Sequence, residues 1–193
     1  MDPKWIALIV VVVAVVVVVA IVASRKRRSA HLREQFGPEY DRTVAQHGSK
    51  AEAILADREK RVHGFTIRHL SDADRTTFIA EWEAVQRRFV DDPAMAVSEA
   101  DSLVNRVMTA RGYPMADFDQ RAADVSVSYP SVVENYRLAR TIAVRHSNGQ
   151  ASTEDLRQAM VHYRSLFNEL LELPKPAAAV RAIDEEREYR RAS

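Results

Sequence analysis

The sequence predicts an all-α protein: an N-terminal single transmembrane helix, a charged helical stalk, then an antiparallel bundle of about four helices. Three observations carry this. One apolar run near the N-terminus is long enough to span a bilayer. Apolar residues recur at helical spacing through the rest of the chain. Glycine and proline, at five and seven among 193 residues, fall mostly between those periodic stretches, where they punctuate helices.

From Trp5 to Ala23 no side chain is charged or polar, and ten of these 19 residues are valine. A helix of that length rises about 28 Å, close to the roughly 30 Å hydrocarbon core. Valine is a poor helix former in water because its branched side chain is stiff. In lipid an unpaired backbone is the costlier alternative, so helix is favoured. Trp5 occupies the place of an interfacial aromatic. Arg25, Lys26, Arg27 and Arg28 follow the run, against Lys4, Asp2 and the amino terminus before it. The positive-inside rule then puts the N-terminus outside and the remainder in the cytoplasm. The same four cations suit anionic headgroups, at about 1 kcal/mol each. The rival reading is a cleaved signal peptide, with Ile21-Val22-Ala23 before Ser24 as the cleavage site. Such a peptide needs its cations ahead of a shorter apolar core, and here they come after it.

The first segments beyond the run are highly charged. Ser29 to His47 is amphipathic and interrupted at Gly37-Pro38, and Lys50 to Val62 repeats Ala51, Ile54, Leu55 and Arg58. These predict the stalk. The core pattern strengthens after His69. Ser71 with Asp74 reads as a capping box, followed by Phe78, Trp82, Val85 and Phe89 at helical spacing. Asp91-Asp92-Pro93 stops that helix and starts the next, whose stripe is Val97, Ala100, Leu103, Val104, Val107 and Met108. Gly112-Tyr113-Pro114 ends it, and a short helix is expected from about Asp117 to Asp124. Tyr129-Pro130-Ser131 opens another, with Val132, Val133, Tyr136, Ala139 and Ala143, closed by Asn148-Gly149 in a left-handed cap. Ser152 and Asp155 make a second capping box before Leu156, Met160, Tyr163, Phe167 and Leu170, and Pro174 and Pro176 break that stripe. Val125-Ser126-Val127-Ser128 is the one strand candidate, and four residues cannot make a sheet alone. The expected organisation is a short N-terminus (1–4), the spanning helix (5–23), a basic flank and stalk (24–69), the bundle (70–173) and a charged tail (174–193).

Composition narrows the function classes. With 28 basic and 27 acidic residues the net charge is +1, unlike the basic excess of nucleic-acid binders, so no nucleic-acid partner is expected. The absence of cysteine removes disulfides, thiolate metal sites, a cysteine nucleophile and cysteine lipidation. No glycine-rich phosphate cradle and no nucleophile elbow is present. His146 and His162 lie on helices expected to be neighbours, yet a metal site needs three or four convergent ligands, and no Glu-x-x-His pair exists. His146 reads instead as a cation near a helix C-terminus. His31 falls near the headgroups as a solvated residue. Asp91-Asp92 lacks the alternating oxygens of a calcium loop, and Asp117-Phe118-Asp119 reads as acids in a first turn. Trp82, Phe78 and Phe89 read as core, and Tyr113 as a turn aromatic that hints at an interface.

Four stretches carry a resemblance: Phe36-Gly37-Pro38-Glu39-Tyr40-Asp41-Arg42-Thr43-Val44, Arg88-Phe89-Val90-Asp91-Asp92-Pro93, Ala110-Arg111-Gly112-Tyr113-Pro114, and Ser152-Thr153-Glu154-Asp155-Leu156-Arg157 through Tyr163-Arg164. Together they resemble a family of uncharacterised bacterial proteins with an N-terminal hydrophobic segment. The resemblance implies a helical, membrane-anchored bacterial protein, hence the inner membrane, and no chemistry. The resulting expectation is a membrane-tethered protein-interaction or scaffold module, without catalytic, cofactor or metal residues, whose partners are the lipid bilayer and a protein or a second copy. The alternatives are a ligand-binding or enzymatic helical domain, and an exported protein after signal cleavage.

Overall fold

The computed structural model describes the backbone of residues 3–173 and the side chains of residues 13 and 15–173. Among these residues all regular structure is helical, and the chain divides into two compact units, Met1–Lys60 and Arg61–Ser193. The expected boundary between stalk and bundle lay at 69/70; the units divide at 60/61.

In the first unit α1 runs Pro3–Phe36 and α2 Pro38–His47. Gly37 between them takes φ 47°, a left-handed angle that costs glycine nothing, and Pro38 supplies the fixed φ of a first helical residue. A 3-10 turn at Gly48–Lys50 leads to α3, Ala51–His63. Leu32, Phe36, Tyr40, Ala51 and Leu55 are buried, so the stretch expected as a charged stalk has an apolar centre. Two polar ties accompany it. Arg58 Nη1 donates to Glu39 Oε1 at 2.8 Å, with the Glu39 side chain only 2% exposed. Tyr40 Oη donates to Glu52 Oε1 at 2.9 Å, and the Ser29 and Tyr40 hydroxyls hold the Glu52 carboxyl below its ordinary range.

Among the described residues no helix is long and apolar enough to cross a membrane. The expected placement as a single-pass inner-membrane protein, with an outer N-terminus and a cytoplasmic domain, is corrected accordingly. Val13, Val15–Val19, Ile21 and Val22 are exposed. The Trp5 side chain, Met1, Asp2 and the charged tail 174–193 lie outside the described residues.

The second unit holds α4 (Asp72–Asp91), α5 (Pro93–Ala110), α6 (Phe118–Ser128), α7 (Val133–Ser147) and α8 (Thr153–Leu170). The starts of α4, α5, α6 and α8 are fixed by side chains that take up free backbone N–H groups. Ser71 Oγ accepts from Asp74 N at 3.1 Å, Asp92 Oδ1 from Met95 N at 2.9 Å, and Asp117 Oδ1 from Gln120 N at 2.8 Å. At α8 the box is reciprocal: Asp155 N donates to Ser152 Oγ and Ser152 N to Asp155 Oδ2. Asp92 both ends α4 and caps α5.

Helix α5 packs against α4, α7 and α8, and α7 packs against α6 and α8. It buries Ala96, Val97, Ala100, Leu103, Val104, Val107 and Met108, a stripe wide enough to face several neighbours. The expected stripes of α4 and α8 are inward too, with Phe78, Trp82 and Val85 meeting Leu156, Met160, Tyr163, Phe167 and Leu170 in one core. Two local expectations change. Val125-Ser126-Val127-Ser128 is helical, the last turn of α6. Its alternation arises because Ser126 is buried with its Oγ donating to Ala123 O at 2.6 Å. Tyr113 is buried, not exposed. Gly112 beside it takes φ 95°, and a Cβ there would stand 2.3 Å from the Thr66 carbonyl oxygen, so the backbone of 66 covers this turn.

Candidate functional site: two clefts on the helical bundle

Helices α5 and α7 bound a cleft of about 280 Å³. Asp101 lies on the α5 side and Arg140 on the α7 side, both half-buried. Asp101 is held by neutral donors: Tyr163 Oη donates to Oδ1 at 2.9 Å and Asn105 Nδ2 to Oδ2 at 3.3 Å. The chain continues inward, with Tyr136 Oη donating to Asn105 Oδ1 at 3.2 Å and Arg121 Nε to Tyr136 Oη at 3.2 Å. Arg121 is in turn tied to the Ala116 carbonyl. Tyr136 and Tyr163 are completely buried. Burial pushes both phenols up, and the Asp101 carboxylate adds to the rise at Tyr163. This network fixes the orientation of one carboxylate at the cleft wall, because every donor is itself immobilised.

A second cleft, of about 180 Å³, lies between α4 and α8 and is lined by Trp82, Phe89, Met160 and Val161, with Gln86, Arg157 and Arg164 around them. Val161 is 50% exposed. Arg157 is engaged locally, donating through Nε and Nη2 to the two oxygens of Glu154 at 2.8 Å each. Arg164 is exposed and makes no ion pair among the described residues. The surface is thus an apolar slot beside a cation without an ion pair among the described residues.

A third polar group is structural. Asp124, buried, accepts from Arg61 Nε and Nη2 at 2.9 and 2.7 Å and from Gln120 Nε2 at 2.8 Å. Three donors thus converge on one carboxylate oxygen.

Arg25, Lys26, Arg27 and Arg28 are all exposed on α1. His146 lines the α5–α7 cleft with its Nδ1 shielded and unpartnered. His162 Nδ1 instead lies 3.0 Å from Asn135 Oδ1, near the start of α7. Asn135 and His146 are about 16 Å apart along the helix at about 1.5 Å per residue, so the two histidines do not meet. Among the described residues no three His, Asp or Glu side chains could together hold a metal ion. His31 is exposed, 3.3 Å from Glu59. Asp92 and Asp117 are helix caps. Sequence reasoning did not find Asp101, Arg140 or the Tyr163–Asp101 bond, since partners 62 residues apart leave no local pattern. Phe89 and Trp82 read as core, and both also wall the α4–α8 slot.

No family model, curated protein or solved structure matches this chain.

Proposed function

We propose that this protein is a helical protein-interaction or scaffold module. Its docking surface is the α4–α8 slot, and its partner presents an amphipathic helix with one large apolar side chain flanked by acidic residues. The observation that supports this most is the pairing of exposed Val161 and the half-buried Phe89 with Arg164, which has no ion pair among the described residues. Amphipathic helices bind grooves through a few apolar anchors, and charges at the rim set which partner approaches. The short connections support an antiparallel run of α4 and α5 and of α7 and α8. The near-neutral net charge favours a protein partner over nucleic acid, and the reading requires no catalytic step.

The test is a titration of the full chain, in a Trp5→Phe background, with an amphipathic helical peptide carrying a leucine anchor and flanking glutamates. Trp82 fluorescence reports slot occupancy. Saturable quenching that Val161→Asp removes is the expected result; no quenching by this peptide contradicts the proposal. Sedimentation of the chain alone provides the second arm. A concentration-dependent dimer that Val161→Asp dissolves would make a second copy the occupant and overturn the separate partner.

A further inference from the structure

The geometry points to a second site: the α5–α7 cleft binds a small zwitterion of the apolar amino-acid class, with its carboxylate on Arg140 and its ammonium on Asp101. Both charged side chains line the same cleft from different helices, and they form no ion pair with each other. Opposite charges that share a cleft without pairing leave each with capacity for a ligand that bridges them. Asp101 has that capacity. A carboxylate offers about four lone-pair directions, and Tyr163 and Asn105 occupy one on each oxygen. Their bonds also hold the group still, so its orientation is set before a ligand arrives.

Arg140 is positioned by its guanidinium standing over the Phe118 ring, 5.7 Å from the centroid. Stacking leaves the edge of the guanidinium, with its fork of donors, available to a carboxylate. The two charges cancel, which disfavours a dianion and suits a ligand carrying one charge of each sign. Val97, Ala143 and Val144 supply apolar wall to the same cleft. A volume of about 280 Å³ lies just below the range typical of sites for drug-sized ligands and accommodates an amino acid. His146 lines the same cleft and adds a polar group to its wall.

The experiment is calorimetric titration of the full chain with L-valine, 3-methylbutanoate and isobutylamine. The last two keep the apolar body and lose the ammonium or the carboxylate. L-Valine is expected to bind saturably, with each truncated probe at least about tenfold weaker, a loss of one charge-assisted contact. Arg140→Gln is expected to lower valine affinity by about tenfold or more while the circular dichroism spectrum stays unchanged. Should that variant unfold, Val144→Trp on the exposed lip of the cleft (Val144 is 45% exposed) fills the same space and is expected to abolish binding. Three results overturn the inference: no saturable heat with valine at millimolar concentration, 3-methylbutanoate binding as tightly as valine, or full affinity in a folded Arg140→Gln or Val144→Trp chain.

Discussion

Trp82 of α4 stacks on Phe167 of α8, with ring centroids 4.8 Å apart and planes 20° from parallel. The pair joins two helices far apart in sequence, and Trp82 also walls the α4–α8 slot. Phe167→Ala should therefore destabilise the bundle by about 3–5 kcal/mol, the range for a large aromatic deleted from a core. Because the rings touch, Trp82→Ala and Phe167→Ala should sum to more than the double variant loses. Urea unfolding followed by circular dichroism measures all three; additive losses would show that the stack contributes nothing beyond burial.

Gly112 is the glycine, among the described residues, whose replacement meets backbone most closely. With φ 95° and a Cβ placed 2.3 Å from the Thr66 carbonyl oxygen, Gly112→Ala combines backbone strain with a clash that side-chain rotation cannot relieve. The expected cost exceeds the roughly 1 kcal/mol of a simple Gly-to-Ala mismatch. Gly149→Ala, also at positive φ but with open space around it, should cost less. Thermal unfolding of the two variants ranks them, and a reversed order would contradict the close approach at 66.

Asp92 closes one helix and opens the next, accepting from Met95 N. Asp92→Ala is expected to cost about 1 kcal/mol through the lost cap. Asp92→Asn, whose side-chain oxygen accepts the same bond, should recover most of it. Denaturant midpoints distinguish the cap from a mere charge effect, because only the latter would leave the asparagine variant as weak as alanine.

The charged groups give two pH windows. The two-pronged Arg157 contact holds the exposed Glu154 carboxyl down at about 2. A depressed folded value means its contribution is present above the unfolded carboxyl range and is lost as pH falls toward about 2. Carbon NMR of Glu154 should titrate there, and Arg157→Ala should return it toward its ordinary range. At the other end, burial pushes Tyr129 up to about 12, and raises Tyr163 with help from Asp101. Raised folded values mean stability that is complete below the unfolded tyrosine range and is lost as pH rises through about 12. Ultraviolet titration should show these phenols ionising only with alkaline unfolding.

The helix boundaries were legible because caps are local. Ser71, Asp92 and Ser152 each meet a partner three residues on, a spacing visible in any sequence. The stripes of α4, α5 and α8 were legible for the same reason, since a helical face repeats every three or four residues. What stayed hidden depends on distant partners. The buried Asp124 and Ser126 break the α6 stripe and mimic a strand, and the ion pair that accompanies Asp124 comes from Arg61, 63 residues away. Tyr113 looked like an exposed turn aromatic and is covered by the rest of the fold. Neither cleft was legible, because each is assembled from helices separated by dozens of residues. The spanning-helix reading rested on the composition of 5–23, and among the described residues no helix is long and apolar enough to cross a membrane.

Charge reversal at Arg164 tests the interaction reading most directly. Arg164 is exposed and without an ion pair among the described residues, so Arg164→Glu should leave the fold intact. Titrated against the glutamate-flanked peptide and its lysine-flanked counterpart, the parent chain should prefer the acidic one. Arg164→Glu should invert that preference, with Trp82 fluorescence reporting both. A variant that keeps the parent's preference, or a parent that does not distinguish the peptides, would contradict the slot between α4 and α8 as the docking surface.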